Sequence, residues 1–410
     1  MKYANQDKYL DLKFNPDPDK YVLADFYMEC GAEKACAAGL AAESSTGTWT
    51  KVTTTKRRID RLAAKVYKLR GNQVKVAYPV DIFEDGNIPQ LLSDVAGNIF
   101  GMKIVKNLRL NDLTFPKSYL KTFKGPQFGM EGVRKIIGTS KSRRPHCGTI
   151  VKPKVGLNPE ETASVAYHAW AGGLDLVKDD ENLTSQKFCP FEDRVIKVLA
   201  AMDLARSETG EKKIYCANIT GVNMAERAQF VKDHGGNCIM IDILTAGYAA
   251  TQEIRNINFG MPIHAHRAMH AAITRNRRHG ISMLVLAKLA RLSGVDQLHI
   301  GTAVGKMEGP VKEIKEIHDA MYEQLAGIKS VFSVCSGGIH PGHVEPLVKN
   351  FGKDIVIQAG GGIHGHPGGT LTGARAMRQA VEAVAKGKTL KEYAKNHIEL
   401  DTALGKWSKV

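Results

Sequence analysis

The sequence predicts an α/β protein, a (β/α)8 TIM barrel preceded by a smaller α+β domain with an antiparallel sheet. Two observations carry this. From Gly148 onward, short apolar runs alternate with amphipathic stretches, the texture of strands and helices building a parallel sheet. Eight such runs fall within about 260 residues, the number and length of a barrel. The chain before them mixes strand patterns with a hairpin signal. The expected division is residues 1–125 for the small domain and 126–410 for the barrel.

In the small domain Tyr21–Tyr27 alternates as a strand and Ala32–Ala42 reads as a helix. Val66–Leu69 and Val74–Val80 read as strands joined by Arg70-Gly71-Asn72-Gln73, a hairpin signal. Pro89–Ala96 is a candidate helix and Lys103–Leu110 a strand. Pro116–Pro145, rich in Lys, Gly and Pro, reads as a connector. The barrel strands are expected at Thr149–Lys154, Leu174–Lys178, Ile214–Asn218, Cys238–Asp242, Ile263–Arg267, Gln297–Ile300, Val331–Cys335 and Ile355–Ala359. Helices fall between them, at Asn158–Trp170, Arg194–Ala205, Met224–Lys232 and Val311–Leu325. Asn158-Pro159-Glu160-Glu161 is a helix start, with a capping asparagine and acidic residues in the first turn. Thr370–Lys386 fits a last outer helix. An open doubly wound sheet is the structural alternative, but no GxGxxG follows the first strand.

Composition narrows the function classes. At 410 residues, 43% hydrophobic and 24% charged, the chain has the make-up of an ordinary globular protein. No apolar stretch approaches the roughly 20 residues of a membrane span, and the start has no signal-peptide core. Seven dispersed cysteines without CxxC spacing argue against a disulfide framework or a zinc site and for a reducing cytoplasm. The net charge of +15 raises nucleic acid as a partner, but the basic clusters (Lys56-Arg57-Arg58, Lys141–Arg144, Arg275–Arg278) join no nucleic-acid-binding motif. Dispersed solvated charge is the better reading, and a positive field also speeds the encounter with a small polyanionic substrate.

The chemistry is densest at Gly172-Gly173-Leu174-Asp175-Leu176-Val177-Lys178-Asp179-Asp180-Glu181-Asn182, an apolar run ending in a lysine and three carboxylates. Clustered carboxylates repel unless a cation offsets them, and Mg²⁺, a hard oxygen-seeking ion, suits them. Lys178 would repel that metal as an ammonium. If it reacted as a neutral amine with CO2, its carbamate would become a third oxygen ligand beside Asp180 and Glu181. A solvated loop with a Lys–Asp ion pair is the bland alternative.

Active sites of barrels gather at strand C-terminal ends. There this chain offers Lys152 and Lys154 on strand one and Lys178, Asp180 and Glu181 on strand two. Strand five offers His264, His266 and Arg267, and strand six His299 and the loop Gly301–Lys306. Strands seven and eight offer Ser336-Gly337-Gly338 and Gln358-Ala359-Gly360-Gly361-Gly362. The lysines might otherwise be surface ion-pair partners, the two histidines a core pair or a metal site, and the glycines plain tight turns. Backbone N–H groups at such turns also bind anions, and strands seven and eight commonly hold phosphate in barrels. Arg267 and His299 supply a second candidate anion site. Two anion sites flanking a metal imply a substrate phosphorylated at both ends.

KPKVGL, GGLDLVKDDEN, HAHRAMH, GTAVGKMEG, CSGGIH and QAGGG, with ESSTGTW and GNIFG earlier, together resemble the large chain of ribulose-1,5-bisphosphate carboxylase/oxygenase over nearly the whole chain. The short segment between Lys306 and Ser336 and the early end are more similar to the archaeal-type (form III) enzymes than to the plant type. The resemblance implies a lyase that fixes CO2, with a competing oxygenase (monooxygenase) reaction, yielding two 3-phosphoglycerate from the carboxylation. It implies Mg²⁺ held by Asp180, Glu181 and carbamylated Lys178, CO2 as activator, and a carbamate that helps to remove the C3 proton. It also implies that Lys152 assists enolisation and protonates the final carbanion, while Lys154 contacts substrate. His266 would be a general base around hydration, with Arg267 and His299 on one phosphate. Thr48, Trp49, Gly338, Gly360 and Gly361 would hold the other phosphate, beside Gly337 and Gln358, with Ser336 bonded to a substrate hydroxyl. Lys306 would stabilise the incoming carboxylate and reach Glu43 of a neighbouring subunit, which would also lend Asn98. A homodimer or ring of dimers follows, without a small subunit, nucleic acid or membrane as partner.

Ile150 stands where plant-type enzymes carry a substrate-contacting threonine, and their C-terminal latch is missing. The rival reading is a RuBisCO-like enolase or isomerase of methionine salvage or sugar-phosphate metabolism, which would stop at proton transfer. Such proteins usually lose several of the residues named above, whereas Glu43, Arg267, His299 and Lys306 are all present here. A basic nucleic-acid-binding or scaffold protein is the rival from another class.

Overall fold

The computed structural model describes residues 6–48, 50, 52–304 and 311–407. Four strands come first: β1 (Tyr21–Cys30), β2 (Lys65–Arg70), β3 (Gln73–Pro79) and β4 (Val105–Thr114). Then follow β5 (His146–Ile150), β6 (Leu176–Lys178), β7 (Ile214–Asn218), β8 (Ile239–Asp242) and β9 (Ile263–His266). The last are β10 (Gly280–Ile281), β11 (Gln297–Gly301), β12 (Phe332–Ser336) and β13 (Ile355–Gln358). Packing separates two compact units, one of Met1–Lys124, Met269–Ser293 and Gln324–Ile328, the other of Gly125–Ala268, Gly294–Glu323 and Lys329–Val410.

The first unit holds a five-stranded sheet in the order β10-β4-β1-β3-β2. Its β1 alternates half-buried and buried positions along most of its length, as expected for a strand with one face on a core. The β2–β3 turn falls at Gly71, whose φ of +53° suits glycine best. All pairings are antiparallel except β10–β4, so a short segment from late in the sequence completes an N-terminal sheet. Cys30 and Cys36, at the end of β1 and in the helix Glu33–Glu43, form a disulfide. This departs from the expectation of unpaired cysteines; the other five are free and buried.

The second unit is a closed parallel barrel in the order β11-β12-β13-β5-β6-β7-β8-β9. Its strands are buried on both faces: every residue of β6, β7 and β8 is buried. The first barrel strand ends at Ile150, earlier than the sequence pattern suggests, and leaves Lys152 and Lys154 in the following loop. Helix Pro159–Ala171 starts on a full capping box, with Asn158 and Glu161 exchanging side-chain and backbone hydrogen bonds at 2.8 and 2.9 Å. The supposed connector contains a helix, Gly129–Ile137, whose Met130, Val133 and Ile137 pack against Leu176, Ile214, Phe332 and Val356. It plugs the N-terminal end of the barrel, the end opposite the strand termini that carry the chemistry. No helix among the described residues is long and apolar enough to cross a membrane.

Candidate active site

A strand turns alternate residues to opposite faces, and the end of β6 uses this to sort its charges. Asp179 is wholly buried against the helix Phe191–Thr209, where it accepts from Arg194 Nε at 3.2 Å, Tyr215 Oη at 2.8 Å and Asn218 N at 2.9 Å. It belongs to the scaffold. Asn218 also donates through Nδ2 to the carbonyls of Asp180, Glu181 and Leu183 at 3.3, 3.3 and 3.1 Å, which fixes the loop after β6.

Lys178 and the two remaining carboxylates meet three more side chains. Lys152 Nζ lies 2.6 Å from Asp180 Oδ2, Lys178 Nζ 3.5 Å from Glu181 Oε2, and Lys154 Nζ 3.7 Å from Glu181 Oε1. Lys178 is 1% exposed. Burial would raise the Glu181 carboxyl, but Lys178, His266 and Lys154 outweigh it and hold it at about 2. With Lys178 as an ammonium, three cations neutralise two carboxylates, and the described residues contain no cluster of three His, Cys, Asp or Glu able to hold a metal. The donor chemistry fits Mg²⁺ once Lys178 carries a carboxyl group: the set then offers three anionic oxygen ligands.

His266 Nδ1 is 2.7 Å from Asp242 Oδ1, and its Nε2 is 3.7 Å from Glu181 Oε2. Burial lowers the His266 pKa despite the opposing bond to Asp242, so its neutral, basic form prevails at neutral pH. Beside it runs a relay: Gln297 Oε1 to His264 Nδ1 at 2.5 Å, His264 Nε2 to His299 Nε2 at 2.8 Å, and His299 Nδ1 to Ser336 Oγ at 2.7 Å. With one proton per ring, the Gln297 oxygen fixes N–H on His264 Nδ1, so His299 donates from Nε2 and accepts at Nδ1. Ser336 then donates its hydroxyl proton inward and keeps its lone pairs for another donor. Burial and the neighbouring cationic groups push the His299 pKa well down. Both His299 nitrogens are engaged by protein.

Arg267 keeps its proton at neutral pH, although burial lowers its pKa to about 10. A Cβ on Gly301 would come within 2.7 Å of its Nη2, so a glycine there makes room for the guanidinium. At the ends of β12 and β13, Gly337 and Gly338 have φ of +113° and +70°, values that favour glycine. A Cβ on Gly360 would meet Lys152 Cε at 2.9 Å. Gln358 is buried and donates to the Thr149 carbonyl at 3.2 Å, a bond within the barrel wall.

Glu43, Thr48 and Asn98 lie in the first unit. Glu43 ends the helix Glu33–Glu43, and the turn after it is locked by Ser44 Oγ to Tyr78 Oη at 2.9 Å and Ser45 Oγ to Ala41 O at 2.6 Å. Gly47 returns so closely that a Cβ would meet Ala42 Cβ at 2.5 Å, and it leads to half-buried Thr48. Asn98 is exposed at the start of a 3₁₀ turn, after a Gly97 whose Cβ would strike Ser93 O. Trp49 and Lys306 lie outside the described residues. Sequence reasoning missed Asp242, Asn218, Tyr215 and Arg194, although Asn218 and Asp242 are the polar last residues of two expected strands.

Two family models divide the chain: the ribulose bisphosphate carboxylase large chain N-terminal domain matches residues 8–119, and its catalytic domain residues 129–407. The chain belongs to the ribulose bisphosphate carboxylase large-chain family. The ribulose bisphosphate carboxylase of Methanocaldococcus jannaschii is 50% identical over 97% of this chain and 99% of its own. That of Pyrococcus abyssi is 49% identical over 97% and 96%. An octameric ribulose-1,5-bisphosphate carboxylase/oxygenase from Pyrococcus horikoshii, solved with sulfate, superimposes with a TM-score of 0.95 at 48% identity, over 100% of this chain and 98% of that one. A dimeric archaeal Rubisco from Hyperthermus butylicus gives 0.94 at 45% identity, over 99% and 100%.

Proposed function

We propose that this chain adds CO2, or O2 in competition, to the enediolate of ribulose-1,5-bisphosphate, and that water and carbon–carbon cleavage then yield two molecules of 3-phosphoglycerate from the carboxylated product. The observation that carries this is the juxtaposition of Lys178, Asp180 and Glu181 with Lys152 and His266, within a chain about half identical to named carboxylases. Mg²⁺, held by carbamylated Lys178, Asp180 and Glu181, would supply positive charge beside the substrate's C2 oxygen. The Lys178 carbamate would take the C3 proton, and the Lys152 ammonium, already 2.6 Å from Asp180, would stabilise the developing oxyanion and later return a proton. Neutral His266, oriented by Asp242, would take a proton from the hydrating water. Ser336, with its proton committed to His299, would accept a bond from a substrate hydroxyl. Arg267 suits one phosphate by bidentate bonding, and the loops after β12 and β13, with Thr48 and Trp49, suit the other.

Lys306 would steady the carboxylate as charge grows on it. Glu43 and Asn98 would come from a neighbouring subunit, making a dimer the smallest active unit, alone or in a ring. Five of the seven cysteines are free and buried, which supports a cytoplasmic setting, against which the Cys30–Cys36 disulfide stands. The test is CO2-dependent formation of 3-phosphoglycerate from ribulose-1,5-bisphosphate, with C3 tritium release followed in the same preparation. Wild type should do both, and Lys178→Ala neither. Proton exchange without CO2 fixation in wild type would replace the carboxylase with an enolase.

A further inference from the structure

The C-terminal helix Ile398–Trp407 touches both loops assigned above to one phosphate, although it lies far along the chain from the strand-end motifs. The Trp407 ring stacks on His340, two residues beyond Gly338, with centroids 5.4 Å apart and planes at 14°. On the other side, Lys406 Nζ donates to the Gly365 carbonyl, and the Glu399 carbonyl bonds His366 Nε2 at 3.0 Å, both in the segment following Gly360-Gly361. The two loops also touch directly: a Cβ on Gly362 would sit 2.1 Å from Ile339 O and 2.7 Å from His340 Cα. Only glycine permits that approach.

His340 is 9% exposed and stands at the N-cap of the 3₁₀ turn Pro341–His343. Its flat face is what the Trp407 ring meets. The His343 ring also lies against it, with centroids 3.7 Å apart. We infer that the C-terminal helix is a positioning element for the phosphate-binding loops after β12 and β13, acting through the Trp407–His340 stack on one loop and the Lys406–Gly365 bond on the other. The inference deepens the carboxylase reading and rests on its assignment of these loops to a phosphate. An anion held by several backbone N–H groups is lost when those groups move by a fraction of their bond length, so a backing element governs affinity. The contacts of the helix named above fall on these two loops and not on Lys178, Asp180 or Glu181.

The experiment compares His340→Ala, His340→Phe and Lys406→Ala with wild type, reading KM and kcat for ribulose-1,5-bisphosphate, the Kd of inorganic phosphate by calorimetry, and the melting temperature. His340→Ala should raise KM and the phosphate Kd on the order of 10-fold while kcat stays within about 2-fold. His340→Phe, which keeps a flat ring against Trp407, should restore both. Lys406→Ala, an exposed position, should shift KM in the same direction by a few-fold without lowering the melting temperature, and keeps the test alive if His340→Ala does not fold. Unchanged KM and Kd in a folded His340→Ala, or a His340→Phe as impaired as the alanine variant, would overturn the inference. If wild type fails to turn over ribulose-1,5-bisphosphate, the carboxylase reading falls, and the phosphate Kd still decides whether the helix positions the loops.

Discussion

Asp179 and Asp180 are chemically identical neighbours with opposite roles, and their surroundings explain the difference. Asp180 faces Lys152 at the mouth of the barrel, while Asp179 is sealed against Arg194, Tyr215 and a backbone N–H. Removing one partner of a buried pair leaves the other charge uncompensated, which is far costlier than loss of an exposed pair. The sequence shows a lysine followed by three carboxylates, and period two separates Asp179 from Lys178 and Asp180, while Glu181 joins them only because the chain leaves the strand after Lys178. It does not say which parity faces inward, because both faces of a barrel strand are apolar. His146 offers a residue-scale test. It is fully buried at the start of β5, bonded through Nε2 to Thr139 Oγ1 at 2.7 Å, and burial lowers its pKa from 6.5 to about 3. Between those values the unfolded chain binds a proton that the fold refuses, so stability falls as pH drops from 6.5 toward 3. At pH 5 the loss is about 2 kcal/mol from this group. Urea unfolding between pH 7 and 5 should therefore show a flatter acid limb for His146→Phe than for wild type; identical slopes would place the acid sensitivity elsewhere.

At the scale of elements, the repeating strands were legible because barrel strands are apolar throughout and end in polar residues, and seven of eight were placed within about two residues of their observed limits. The first is displaced: the pattern gives Thr149–Lys154 where the strand is His146–Ile150, since Lys152-Pro153-Lys154 continues the texture of a strand while lying in a loop. The helix Gly129–Ile137 is masked in the sequence as a connector because its flanks are rich in Lys, Gly and Pro. Its signal was Met130, Val133 and Ile137, at helical spacing in one short stretch. This helix should matter for stability and not for catalysis. Met130 is 6% exposed within the core at the closed end of the barrel, so Met130→Ala should cost about 2–4 kcal/mol. Its KM and kcat, measured well below the lowered melting temperature, should match wild type. A changed KM would mean that the plug transmits strain to the strand ends.

At the scale of the molecule, the sequence pattern could not reveal that residues 269–293 pack with the N-terminal unit, because β10 is only two residues long and completes its sheet through pairing with β4. Nor does any spacing within one chain say where Glu43, Thr48 and Asn98 act; that expectation came from resemblance alone. Solved relatives are octameric in one case and dimeric in another, and a two-fold interface gives each subunit the same patch to offer its partner. If Glu43 completes the partner's site, a dimer of one Glu43→Gln and one Lys178→Ala subunit has one site carrying both lesions and one carrying neither. Co-expression at equal levels makes half the dimers hybrid, so about a quarter of wild-type activity should return from two inactive parents. If Glu43 serves its own subunit, every site in the hybrid has one lesion and nothing returns. Native mass spectrometry of differently tagged subunits would establish that hybrids form, and labelled-CO2 incorporation by the purified hybrid, expected near half of wild type, would decide between the two arrangements.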